Sequence, residues 1–153
     1  MKPLEHVHVT QRAKAHLTSP LNHCEEAASD LERFLAHAAA DASDRTLHTW
    51  LYDAAKTIGA IPIAIREKLD AFDAFAEIGG TAAGALHRAA LEGRIGLGGH
   101  SDAVIREKVD DAFVRALAVW DEALADAVRA PQEVVDLLLE QRKIVARLYR
   151  ELP

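Results

Sequence analysis

The stretch Gly79-Gly-Thr-Ala-Ala-Gly-Ala-Leu-His-Arg-Ala-Ala-Leu-Glu-Gly-Arg-Ile-Gly-Leu-Gly-Gly99 holds seven of the eight glycines in a chain of 153 residues. Glycine disfavours a helix interior by about 1 kcal/mol relative to alanine. Such a cluster therefore marks a connection, here one of some 20 residues with a short helix capped by Thr81 inside it. Outside it the chain is rich in alanine, 30 residues in all, and alanine has the best helix propensity. The glycines thus divide a helical chain into two halves.

In the first half, Ser19-Pro20 reads as a helix start, a Ser cap followed by Pro at the first helical position. Leu21, Cys24, Ala28, Leu31, Leu35 and Ala38 follow at alternating spacings of three and four, the mark of a bundle seam. This predicts a first helix over about 20–40. Asp41 to Asp44 is a short turn in which Ser43 or Asp44 caps the next helix. Leu47, Leu51, Ala54, Ile58, Ile61 and Ile65 continue the rule, and the pattern runs on through Leu69, Phe72 and Ala76. Pro62 lies inside it, so a kink near Gly59–Pro62 or two shorter helices are expected.

In the second half, Ser101 and Asp102 cap a third helix with a seam of Val109, Phe113, Ala116, Trp120, Ala123 and Ala127. Pro131 opens a fourth, striped by Val134, Leu137, Gln141, Ile144 and Leu148. Gln141 interrupts that stripe and could set register, as polar seam residues do. Ile65-Arg-Glu-Lys-Leu-Asp70 recurs as Ile105-Arg-Glu-Lys-Val-Asp110, but out of phase with any hairpin duplication, so it reads as two similar solvated turns. The short turns within each half make two antiparallel hairpins. Joined by one long crossover, they predict an all-α, ferritin-like four-helix bundle. Residues 1–18 read as an N-terminal arm and 19–153 as a single bundle domain.

The segment Gly80-Thr-Ala-Ala-Gly-Ala-Leu-His-Arg-Ala-Ala90, followed by Asp110-Asp111-Ala112 to Ala116, Trp120 and Glu122-Ala123-Leu124, resembles a bacterial family of ferritin-like four-helix-bundle proteins with a domain of unknown function. In that family a Gly-x-Leu-His/Tyr-Arg stretch lies in the crossover before an Ala-rich helix. The similarity covers residues 80–150, is loose around Leu21-Asn22, and is poor in the helix that carries Pro62. It implies a fold and little chemistry.

Composition excludes several functions. A formal net charge of −6 argues against a nucleic-acid binder, which needs a basic stripe for the phosphates. No apolar run approaches the ~18–20 residues of a membrane span, so no membrane insertion is expected. The N-terminus MKPLEHVHV lacks the apolar core of a signal peptide. A lone Cys24 fits a reducing, cytoplasmic setting.

Candidate chemistry is sparse. A ferritin-like di-iron core needs inward carboxylates and Glu-x-x-His on two helices. Glu5 to His8 is the one such pair, and it lies in the arm. Glu140 is followed at the third position by Lys143, a cation where a ligand would stand. No seam position named above is a carboxylate or a histidine. The core is therefore read as metal-free; rotating the first helix by one position would bring Glu25 and Glu32 inward, which makes them the candidate ligands for iron or manganese, with His23 and Glu26 as a helix-face pair. Six of eight histidines (His6, His8, His16, His23, His37 and His48) precede residue 50 and read as solvated, with His6 and His8 projecting together from an extended arm. Glu107, Asp110, Asp111, Asp121 and Glu122 read as a solvated acidic face. Gly93-Arg-Ile-Gly-Leu-Gly-Gly99 lacks the Lys-Ser/Thr of a phosphate loop. Cys24 reads as a buried structural thiol.

The residues point to a non-enzymatic interaction or structural protein without cofactor, a homo-oligomer or a binder of a protein partner. Trp50, Tyr52, Ile95 and Leu97 are its candidate contacts, and Trp120 and Tyr149 flank the stripes with them. One alternative is a ferritin-like metal-binding protein, an iron oxidase or store. Another is a bundle that binds a small molecule in a cavity beside Trp50, opened by the kink at Pro62.

Overall fold

The structure is a computed structural model that describes the backbone of residues 3–72 and 101–153 and the side chains of 18–72 and 101–153. Four helices pack against one another: α1 (Pro3–Asp41), α2 (Arg45–Ala71), α3 (Asp102–Asp126) and α4 (Gln132–Glu151). A 3-10 turn, Ala127–Arg129, links the last two. No strand occurs among the described residues. None of their helices is long and apolar enough to cross a membrane. The glycine-rich connection, its Thr81 cap and the Gly80–Ala90 motif lie outside the described residues.

α1 departs from expectation at its start. The helix does not begin at Pro20 but runs through it from Pro3. A proline inside a helix removes one N–H and crowds the carbonyl four residues back, and both effects stay within one turn. Pro20 is itself buried, which offsets part of the cost. His6 and His8 accordingly lie in helical rather than extended backbone. α2 likewise passes Gly59 and Pro62 as one helix, not two.

The ends are closed as the residue types dictate. Asp44 caps α2 by accepting from the Thr46 amide at 3.0 Å. Ser101 caps α3 by accepting from the Val104 amide at 3.3 Å. Pro131 sits at the N-cap of α4, one residue before the first helical turn, and makes no side-chain cap.

The core follows the seams. All of Leu21, Cys24, Ala28, Leu31, Leu35 and Ala38 are buried, as are the expected positions of α2 from Leu47 to Leu69 and of α3 from Val109 to Ala127. α4 corrects the reading. Leu138 and Val145 are buried with Val134, Gln141 and Leu148, while Leu137 and Ile144 are only partly covered. α4 packs chiefly on α3 and only lightly on α2, so its stripe turns toward α3. Phe113 sits at the centre, with ring centroids 6.0 Å from Trp50 and 5.9 Å from Tyr149.

The helix directions follow from contacts at the two ends. The Asp102 carboxylate accepts from the Ser43 and Asp44 amides, each at 2.8 Å. Arg106 donates to Asp44 at 3.0 Å and to the Pro153 carbonyl at 3.1 Å. The α1–α2 turn, the start of α3 and the end of α4 therefore share one end. At the other end Lys68 lies 3.7 Å from Glu133, bringing the end of α2 to the start of α4. α2 and α3 thus run the same way, and α1 and α4 run against them.

Replacing Asp102 with Ala removes two charge-assisted bonds at a half-exposed site, an expected cost of about 2 kcal/mol. For a chain of this length the melting temperature should fall by roughly 6 °C. Thermal unfolding followed by circular dichroism checks this, and an unchanged midpoint would mean the amides are as well served by water.

Candidate functional site

The α1–α2 seam brings together two of the candidate metal ligands. Glu25 is 7% exposed, and its Oε1 accepts from Arg66 Nε at 2.6 Å. The Arg66 side chain is 58% exposed, so the pair is buried on the acid side and wet on the basic side. Glu32, one heptad further along α1, lies over Gly59. A Cβ on Gly59 would come within 2.6 Å of the Glu32 Oε1. Both acids therefore face α2 along the edge of the seam, beside a stripe of α1 that is buried without any rotation of the helix. What they meet there is a guanidinium and a bare patch of helix.

The other candidate pair stays apart from this. His23 is exposed and Glu26 half-buried on the flank of α1. Among the described residues, no three of His, Cys, Asp or Glu are gathered so as to hold a metal ion. His48 packs its ring against the end of α1, with Nδ1 2.6 Å from the Ala39 carbonyl. A carbonyl only accepts, so Nδ1 carries a proton and satisfies one of the last carbonyls of that helix.

Two of the acids on the face of α3 are held in contacts with α4. Glu107, Asp111, Asp121 and Glu122 are exposed, and Asp110 is half-buried. Asp121 accepts from Arg142 of α4 at 2.6 Å. Asp110 accepts from the Tyr149 hydroxyl at 2.8 Å. That bond, aided by burial and by the charges of Asp110 and Asp111, holds the Tyr149 phenol above its ordinary value.

Two interior polar side chains remain. Burial pushes the Cys24 thiol up to about 12, so at neutral pH it is a small apolar filler and not a nucleophile. Gln141 is 3% exposed and accepts from Trp120 Nε1 at 3.4 Å. Its Nε2 has no hydrogen-bond partner among the described residues.

The contact candidates separate in the same way. Trp50 is half-buried against Phe113. Tyr52 is 52% exposed, with Lys56 Nζ 4.6 Å above its ring. Ile95 and Leu97 lie outside the described residues. A shallow groove opens between α1 and α3, not beside Trp50. It encloses about 100 Å³, with Ala27, Leu31, Phe34, Ala112, Ala116 and Val119 as its apolar lining and Asp30 and Arg115 at its polar edge. Ligand pockets usually measure about 300–1,000 Å³, so this groove is smaller than most of them.

Sequence reasoning missed pairings rather than chemistry: Arg66 with Glu25, Tyr149 with Asp110, and Arg106 with Asp44, while Asp102, expected to cap α3 with Ser101, instead reaches the α1–α2 turn. Each is polar and close to an apolar stripe, which is the signal that could have found them. No protein-family model, curated protein or solved structure matches this chain.

Two outcomes test this picture. Because the folded phenol of Tyr149 titrates above the ordinary value of 10.0, its bond to Asp110 stabilises the fold below that pH. The contribution is lost as pH rises through the folded value. Phenolate absorbance should therefore show one tyrosine with a late midpoint, returned toward the ordinary value by Asp110→Ala. Cys24 should resist iodoacetamide in the folded chain at about pH 8 and react once denatured. Labelling at equal rates in both states would show that the thiol is accessible.

Proposed function

We propose that this chain is a non-catalytic helical interaction protein with the ferritin-like helix order and a metal-free core, acting as a homo-oligomer or with a protein partner. The observation that carries the reading is the Glu25–Arg66 pair. A ferritin-like metal core turns several carboxylates inward to share cations. Here Glu25 is the one buried carboxylate among the described residues. It already holds a guanidinium at 2.6 Å, a cation of its own chain.

The helix order rests on the directions of the helices and on the chain between them. Parallel α2 and α3 put the end of α2 and the start of α3 at opposite ends of the bundle, the order that ferritin-like bundles join by one long crossover. The resemblance over residues 80–150 agrees with that order. Cytoplasmic residence is part of the same reading and rests on the lone Cys24.

Metal stoichiometry tests the proposal. The untagged chain is incubated with iron(II) or manganese(II), desalted and assayed for bound metal. Far less than one ion per chain is expected, unchanged in Glu25→Ala/Glu32→Ala. About two ions per chain, lost in that variant, would replace the proposal with the metal-protein reading.

A further inference from the structure

The outer face of α2 combines features that the rest of the described surface keeps apart. Tyr52 and Ile63 are 52% and 57% exposed. They stand eleven residues apart, about three helical turns, and so share one face. Lys56 and Ala60 lie between them, and both are exposed. The same ribbon starts at Arg45 and ends at Asp70, again both exposed and about seven turns apart. The other large exposed apolar side chains, Val114, Val128 and Leu139, are dispersed over different elements.

The spacing along this ribbon is self-complementary. Lay a second α2 antiparallel across the first, with a two-fold axis midway between residues 57 and 58. Tyr52 then falls opposite Ile63 of the second copy, and Arg45 falls opposite its Asp70. Both pairings use the same axis, and the symmetry makes each occur twice. A parallel arrangement would instead set Arg45 against Arg45 and Asp70 against Asp70. Near the axis the short side chain of Ala60 lets the helices approach. Lys56 leans back over the Tyr52 ring, away from the axis, so the two ammonium groups diverge.

We infer that the outer face of α2 is a homodimer contact in which two copies pair antiparallel through Tyr52 and Ile63, with Arg45 and Asp70 closing both ends. The inference rests on the reading of this chain as an interaction protein and names the partner as a second copy. A ribbon roughly 37 Å long and one helix wide covers about 400 Å² on each copy. A standard stable interface covers about 800 Å² per partner, so the dimer belongs to the weak, reversible class.

Sedimentation velocity of the full chain across a concentration series tests this. The unmodified protein should pass from monomer to dimer as concentration rises, and Ile63→Glu should stay monomeric throughout. Arg45→Asp and Asp70→Arg each create like-charge pairs at both ends, and each alone should weaken association at least tenfold. Mixed in equal amounts, these two variants regain both opposite-charge pairs and should associate again. Neither threatens the fold, since an acid in the first turn and a base in the last suit the helix dipole; circular dichroism checks this. A protein that is monomeric at every concentration overturns the inference. A dimer indifferent to Ile63→Glu overturns this face while leaving the interaction-protein reading intact. A mixture that fails to recover overturns the antiparallel pairing. Bound metal, measured separately, decides the underlying reading.

Discussion

The Asp102 carboxylate fixes the two halves of the chain end to end. Hydrophobic seams are tolerant along their axis, because a helix can slide by a turn and still bury a stripe of similar residues. Asp102 removes that freedom by accepting the Ser43 and Asp44 amides at the turn between α1 and α2. Arg106, one turn on, ties Asp44 to the last carbonyl of the chain. These contacts set the axial position of α3, and the packing of Phe113 between Trp50 and Tyr149 depends on that position.

Within each half, polar pairs play the same part. Glu25 with Arg66, and Glu32 over Gly59, are one heptad apart on both antiparallel helices, so they define a single register for α1 on α2. Trp120 with Gln141, Asp121 with Arg142 and Asp110 with Tyr149 do this for α3 on α4. Gln141 carries a cost: its Nε2 has no partner among the described residues, and a buried unpaired donor costs about 1–3 kcal/mol, which a leucine there would avoid. Its hydrogen bond to Trp120 returns specificity, since sliding α4 by a turn would strand the amide and the indole together.

The fold's seams were readable because burial has a period and side chains declare it. Leu21 to Ala38 and Val109 to Ala127 alternate by three and four, and the structure buries each of them. The phase of α4 was not readable, because Leu137, Leu138, Ile144 and Val145 are equally apolar and only the neighbouring helix selects among them. The start of α1 misled for a related reason. Ser-Pro is a good opening locally, yet a helix already running can carry one proline. At the candidate site, sequence identified Glu25 and Glu32 as the acids that a small rotation would turn inward. It did not identify Arg66 as the group waiting for one of them, because that meeting spans 41 residues.

The alanine content explains why the interior offers so little room for chemistry. Ala28, Ala38, Ala39, Ala54, Ala55, Ala116, Ala123 and Ala127 are all buried. Small residues at helix crossings shorten the interaxial distance toward the low end of about 8–10 Å. A dinuclear metal site needs the opposite, long carboxylates and imidazoles projecting into a widened core. Apart from Gln141, seams this small instead leave the polar side chains at the seam's edge, facing the next helix. That is where Glu25, Glu32, Asp110 and Asp121 stand. Close packing thus commits the acids near the seams to alignment, so the proposed recognition falls to outer faces such as the ribbon of α2 that presents Tyr52 and Ile63.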